Sequence, residues 1–176
     1  MVTDDEKMIT GADKVIFPGV GHAEPAMQYL KQRGLDQLII SLKQPVLGIC
    51  LGLQLLCKHT QEGDTACLGV FDTEVKMFDS ADNFNGIKNS FKIPQTGWNS
   101  ISGYRSDLFN GVADNAFVYY VHSYYAELCA DTIATTEYIL SYSAALQKDN
   151  FYGVQFHPEK SGLAGEKILS NFIQLK

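Results

Sequence analysis

The hydrophobic positions of this chain fall into short blocks of two kinds. Val15-Ile16-Phe17 and Val46-Leu47-Gly48-Ile49 are brief apolar runs bounded by Pro and Gly, the pattern of buried strands. Between them, Glu24 to Arg33 predicts a helix, with Pro25 tolerated in its first turn and Gly34 as its stop. Leu35 to Leu42 continues as a short helical segment. Leu51-Gly52-Leu53-Gln54-Leu55-Leu56 suits a buried helix, which the pattern carries to near His59. Leu68 to Met77 then predicts a strand with Phe71, Val75 and Met77 on one face, and the polar stretch Asp79 to Ser90, with its Asn and Gly, predicts a loop. Phe117 to Tyr125 is dense in β-formers. Thr132 to Leu140 and Tyr142 to Gln147 read as paired strands, and Phe151 to Phe156 as another buried one. Gly162 to Lys176 places Leu163, Ile168, Leu169, Phe172 and Ile173 at helical spacing, so an amphipathic helix should cap the sheet. Strands alternating with helices in the first half predict a parallel α/β sheet; the run of strands between residues 68 and 156 predicts an attached antiparallel section.

Composition narrows the picture. A chain of 176 residues with 45% hydrophobic and 19% charged content reads as one globular domain over 1–176. Fourteen basic against twenty acidic residues give a net charge of −6, which argues against non-specific nucleic-acid binding. Cys50, Cys57, Cys67 and Cys129 form no C-x-x-C pair and there are four histidines, so neither a metal site nor a disulfide framework is expected, and a reducing cytoplasm fits. No apolar run approaches the length of a membrane span, and the N-terminus, MVTDDEKMIT, lacks a signal-peptide apolar region.

The candidate chemistry begins at Gly48-Ile49-Cys50-Leu51-Gly52. This is the cysteine version of the G-x-S-x-G nucleophile elbow, where flanking glycines let a strand fold tightly into a helix and expose the nucleophile. A helix N-terminus at Cys50 would favour thiolate. The plainer reading, Cys50 as a small buried hydrophobe, is weakened by those glycines. A base is offered by His157-Pro158-Glu159: extended geometry before proline would put His157 and Glu159 on one side, the carboxylate fixing the imidazole tautomer. His122 is the rival base but has no carboxylate nearby in sequence, and His59 reads as a solvated surface imidazole. Pro18-Gly19-Val20-Gly21 is a tight loop whose N–H groups could stabilise an oxyanion.

Together these pieces resemble the class I glutamine amidotransferases, with Cys, His and Glu in that chain order. Within that family PGVG, GICLGLQLL, TGWN (Thr96 to Asn99), YYVHSYY (Tyr119 to Tyr125) and HPEKSG (His157 to Gly162) are similar to the glutaminase branch serving imidazole glycerol phosphate synthase in histidine biosynthesis. The resemblance implies a three-layer α/β fold with a mostly parallel sheet and no cofactor or metal. It implies Cys50, His157 and Glu159 as catalytic residues and oxyanion donors from Leu51 and Val20-Gly21. Gly52, Gln54, His122, Ser123 and Tyr124 would contact L-glutamine, and Trp98, Tyr119 and Lys160, with Ser161 beside it, would face a (β/α)8-barrel synthase subunit in a cytoplasmic heterodimer receiving the ammonia. Bottom-up, Trp98 could equally be a core aromatic and Gln54 an exposed helix polar. The family pattern also includes an earlier strand, helix and second strand; Met1-Val2-Thr3 reads as the tail of that second strand, so a late-assigned or shortened N-terminus is expected. Rival readings are a glutaminase for another synthase, a truncated non-catalytic partner-binding member, or a cysteine hydrolase acting on another amide.

Overall fold

The computed structural model describes residues 1–79 and 91–175, so most of the expected Asp79 to Ser90 loop lies outside the described residues. In chain order the elements are α1 (Glu6–Thr10), β1 (Val15–Gly19), α2 (Ala23–Gln32), α3 (Leu35–Ser41), β2 (Val46–Cys50), α4 (Leu51–Leu56), β3 (Cys57–Thr60), β4 (Thr65–Ala66), β5 (Phe71–Met77), β6 (Gln95–Ser100), β7 (Phe117–His122), β8 (Tyr124–Ala126), β9 (Thr132–Glu137), β10 (Ser141–Lys148), β11 (Phe151–Val154) and α5 (Gly162–Gln174).

The main sheet has the order β1-β2-β11-β10-β9, with β1, β2 and β11 parallel and β10 and β9 antiparallel beyond them. A second sheet runs β4-β3-β5-β8, and β6 pairs with β7 alone. Period-two alternation sends Val46 into an apolar cluster with α2, α3 and α4, and Leu47 into another with Ile168 and Phe172 of α5. Helices on both faces of one mixed sheet make the three layers.

Several local expectations are corrected. Met1 to Thr3 is not strand; Asp5 accepts a hydrogen bond from the Met8 N–H at 3.0 Å and caps α1, while Asp4 takes the Tyr29 hydroxyl at 2.7 Å, tying this segment to α2. The elbow helix stops at Leu56 instead of reaching His59, because Cys57–Thr60 pairs in parallel with β5. The strand expected from Phe117 to Tyr125 breaks at Ser123: β7 pairs with β6, whereas β8 changes sheets to pair with β5. β11 joins the two parts of the sheet, parallel to β2 on one side and antiparallel to β10, as expected, on the other.

Register positions the site. Gly19 lies opposite Cys50 and Val154 opposite Ile49, so β1, β2 and β11 finish together. Their carboxyl ends deliver the 18–21 loop, the start of α4 and the Gln155-Phe156-His157 segment to one place, where open α/β sheets place their ligands.

Candidate active site

Cys50 is held in the sharp turn by the glycines around it. Its φ is +54°, a conformation L-residues rarely adopt. A Cβ on Gly52 would stand 1.9 Å from the Phe17 carbonyl oxygen, and one on Gly48 would stand 2.8 Å from Gly52 backbone atoms. Only glycine lets α4 pack this closely on β1 and β2.

The thiol sits at the base of a cleft of about 560 Å³. Burial pushes it up to about 11, with the Leu51 N–H opposing and the Glu159 charge adding to the rise. This corrects the expectation that the helix N-terminus would favour thiolate: α4 has six residues, and desolvation outweighs one N–H. Burial therefore favours the thiol over the thiolate in the resting chain.

His157 enters the same cleft from the segment after β11. Its backbone N–H donates to Tyr119 O at 2.9 Å, and the Ser161 hydroxyl donates to His157 O at 2.6 Å while accepting from the Tyr119 N–H at 3.0 Å. The main chain of His157 is thereby fixed between β7 and the residue that precedes α5. Nδ1 lies 2.8 Å from Glu159 Oε1, which assigns the proton to Nδ1. Nε2 is buried and finds no partner among the described residues, leaving its lone pair free. The pairing arises differently from the extended run expected: Pro158–Lys160 is a 3-10 turn that folds Glu159 back beneath the ring.

His122 has the opposite character. It is buried, Nδ1 donates to Tyr124 O at 2.8 Å, and Nε2 lies 3.3 Å from the Tyr142 hydroxyl. Burial pulls it down to about 4, against the pull of the Tyr124 carbonyl, so it is neutral at physiological pH and both nitrogens are engaged. The unfolded chain takes up this proton near the ordinary histidine value and the folded chain only near 4. Stability on the order of 3 kcal/mol is therefore expected to be present above about pH 6.5 and lost as pH falls towards 4. Urea unfolding midpoints at pH 7 and 4.5 should differ more in the native protein than in His122→Asn; equal differences would refute this.

The remaining predicted residues divide. Val20, Gly21, Leu51, Gln54, His122, Ser123, Tyr124 and Lys160 line the cleft. Gly52 does not: it is buried against Phe17. Trp98 is half exposed and meets Tyr119 edge-on at 6.0 Å, with the Lys160 ammonium 5.8 Å from the Tyr119 ring centre. With Phe117 and Val121 exposed on β7, these residues form an apolar face beside the cleft mouth. His59 is bracketed by Glu74 at 3.0 Å and Asp64 at 2.9 Å, so it is a clip for the β3–β4 turn instead of the solvated imidazole expected.

Two polar residues near the sulfur, one on the cleft wall and one buried beneath it, escaped the sequence reading. Glu62 accepts the Ala23 N–H at 2.7 Å, lies 3.2 Å from His22, and carries a carboxylate to the cleft wall. Gln155 is fully buried behind the sulfur. Among the described residues no group of three or more His, Cys, Asp or Glu could hold a metal ion, and no helix is long and apolar enough to cross a membrane. The four cysteines are free thiols.

An elbow cysteine and a carboxylate-paired imidazole thus line one cleft at the end of a parallel sheet, residue types suited to acyl transfer through a thioester. The family model for class I glutamine amidotransferases matches residues 2–175, and the chain belongs to that family. It is accordingly a glutaminase enzyme. Two crystallised glutamine amidotransferases share the fold: one at TM-score 0.68 and 15% identity, covering 98% of this chain and 83% of the other, and one from Thermotoga maritima at 0.58 and 22%, covering 92% and 63%. Among curated relatives, the imidazole glycerol phosphate synthase subunit HisH of Bacteroides fragilis is 54% identical over 175 residues, spanning 99% of this chain and 86% of its own length. The protein of the same name from Shewanella loihica is 46% identical over 184 residues, spanning 99% and 79%.

Proposed function

We propose that this chain is the glutaminase subunit of an imidazole glycerol phosphate synthase in histidine biosynthesis, releasing ammonia from L-glutamine for a (β/α)8-barrel synthase subunit in a cytoplasmic heterodimer. The observation that carries this reading is the 54% identity to the Bacteroides fragilis subunit across 99% of the chain.

In this reading His157 Nε2 accepts the Cys50 proton as the sulfur attacks the side-chain amide carbon of glutamine. The proton then passes to the departing nitrogen, ammonia leaves, and a glutamyl thioester remains; water, deprotonated by the same imidazole, releases glutamate and regenerates the thiol. Glu159 holds the imidazole and stabilises its cationic form. The tetrahedral oxyanion is bound by the Leu51 N–H and an N–H of the Val20-Gly21 turn, where Gly21 has a φ of +94°. Each such donor typically contributes about 3–4 kcal/mol to the transition state. The Glu62 carboxylate suits the substrate ammonium, and the main chain of Ser123 and Tyr124 suits its other polar groups. The face carrying Trp98, Tyr119 and Lys160 adjoins the cleft, where a subunit receiving ammonia must dock.

The test is glutamate release by this chain with and without the barrel subunit and its ribonucleotide substrate. Strong dependence on the partner, with the ammonia incorporated into its product, is expected. Equal release by the isolated chain, or stimulation by a different synthase only, would overturn the reading.

A further inference from the structure

Resting on that reading, we propose that Gln155 is a positioning residue for the nucleophile: its carboxamide, locked by Gln54, donates an N–H to the Cys50 sulfur and stabilises it as thiolate.

Beyond the end of β11 at Val154, Gln155 turns its amide toward the Cys50 sulfur, and Phe156 packs into the core. The Gln155 backbone N–H donates to Ala144 O at 2.9 Å, fixing the segment against β10. Its side chain lies 3.0 Å from Gln54 Nε2 through Oε1, and 3.8 Å from Cys50 Sγ through Nε2. The orientation of both amides follows from one fixed acceptor. Tyr124 O, 2.9 Å from the Gln54 amide, can only accept, so Gln54 must present its NH2 there. The same NH2 faces Gln155, which must answer with its oxygen. The NH2 of Gln155 is then directed at the sulfur.

A thiol sulfur is a weak acceptor, whereas a thiolate takes a charge-assisted hydrogen bond about twice as strong as a neutral one. The contact therefore acts chiefly after the proton has left. Burying two glutamine amides is costly unless their polar atoms are satisfied. Here the arrangement from Tyr124 through Gln54 and Gln155 to Cys50 engages both amide NH2 groups and the Gln155 oxygen and ends on the reacting atom. Because desolvation disfavours the thiolate at this site, a donor aimed at the sulfur counters the largest opposing influence. Gln54 is thus an anchor, its donors directed inward.

The experiment reads Cys50 alkylation by iodoacetamide, followed by mass spectrometry of the Cys50 peptide, across pH 6 to 10 in the isolated chain; it does not depend on turnover or partner. Gln155→Leu is expected to lower the Cys50 alkylation rate about tenfold at each pH. In the complex it should lower kcat by a similar factor with KM for glutamine changed less than twofold. Gln155→Glu keeps the shape and can still accept from Gln54, which guards against misfolding of the leucine variant. Its introduced carboxyl should impose a new titration step, the rate falling further as it ionises beside the sulfur. Alkylation profiles matching the native one in both variants would overturn the proposal. Glutamate release surviving Cys50→Ala would instead overturn the nucleophile reading on which it rests.

Discussion

Cys50→Ala is expected to reduce glutamate release by at least about 10⁴-fold while leaving the protein folded and still able to bind glutamine. The magnitude follows from the chemistry: without sulfur there is no thioester route, and the imidazole and oxyanion donors are left to promote direct attack by water. His157→Ala should cost nearly as much, because burial pushes the thiol up to about 11, which leaves the thiolate a minor form at pH 7, so a base in the site must take the proton. The double variant should be no worse than Cys50→Ala alone, as expected of groups acting as a unit. Glu159→Gln should show a smaller loss, since the exposed half of its side chain lets water replace part of its charge. The measurement is kcat for glutamate formation in the complex. Retention of more than about 1% of turnover by Cys50→Ala would sink the assignment.

Much of this site was legible because its backbone demands are written in residue types. Gly48 and Gly52 flank Cys50 for a steric reason, and the order of strand, cysteine and helix follows from the apolar runs. The two-residue spacing of His157 and Glu159 was readable as a pair, although the turn that joins them is 3-10 and not extended. Failures came where tertiary pairing decided the outcome. Nothing between Leu56 and Cys57 breaks a helix, and only pairing with β5 turns Cys57–Thr60 into a strand. Glu62 lay in a stretch reading as surface loop; the β3–β4 turn folds it back onto the start of α2. Gln155 left a signal that could have been used. It is a lone polar residue within the apolar run Phe151 to Phe156 and stands two residues before His157, which marks it as near the site. At the N-terminus, Asp5 followed by Glu6 could have been read as a helix cap, and the cap is what the structure forms.

The second large effect is on stability, and its sign is opposite to the usual rule. Glycine to alanine inside a helix ordinarily stabilises by up to about 1 kcal/mol. For Gly52→Ala, within α4, a loss of more than about 3 kcal/mol is expected, because the new Cβ would meet the Phe17 carbonyl oxygen at 1.9 Å. That oxygen belongs to β1, whose Phe17 pairs with Gly48 of β2, so it cannot retreat without opening the ladder. Nor can α4 lift away, since its first residue follows Cys50 directly and its leucines are buried. Gly69→Ala supplies the control: its φ is +70° with no atom within 4 Å of the added Cβ, so only backbone strain of about 1 kcal/mol applies. Urea unfolding at pH 7 should rank native above Gly69→Ala and Gly69→Ala well above Gly52→Ala. If Gly52→Ala unfolds within about 1 kcal/mol of native, the close approach of α4 to β1 is wrong, and with it the reason for placing Cys50 at the mouth of the parallel sheet. If the ranking holds, the glycine two residues beyond Cys50 is explained by packing, and the placement of Cys50 at the cleft follows from the close approach of backbone atoms.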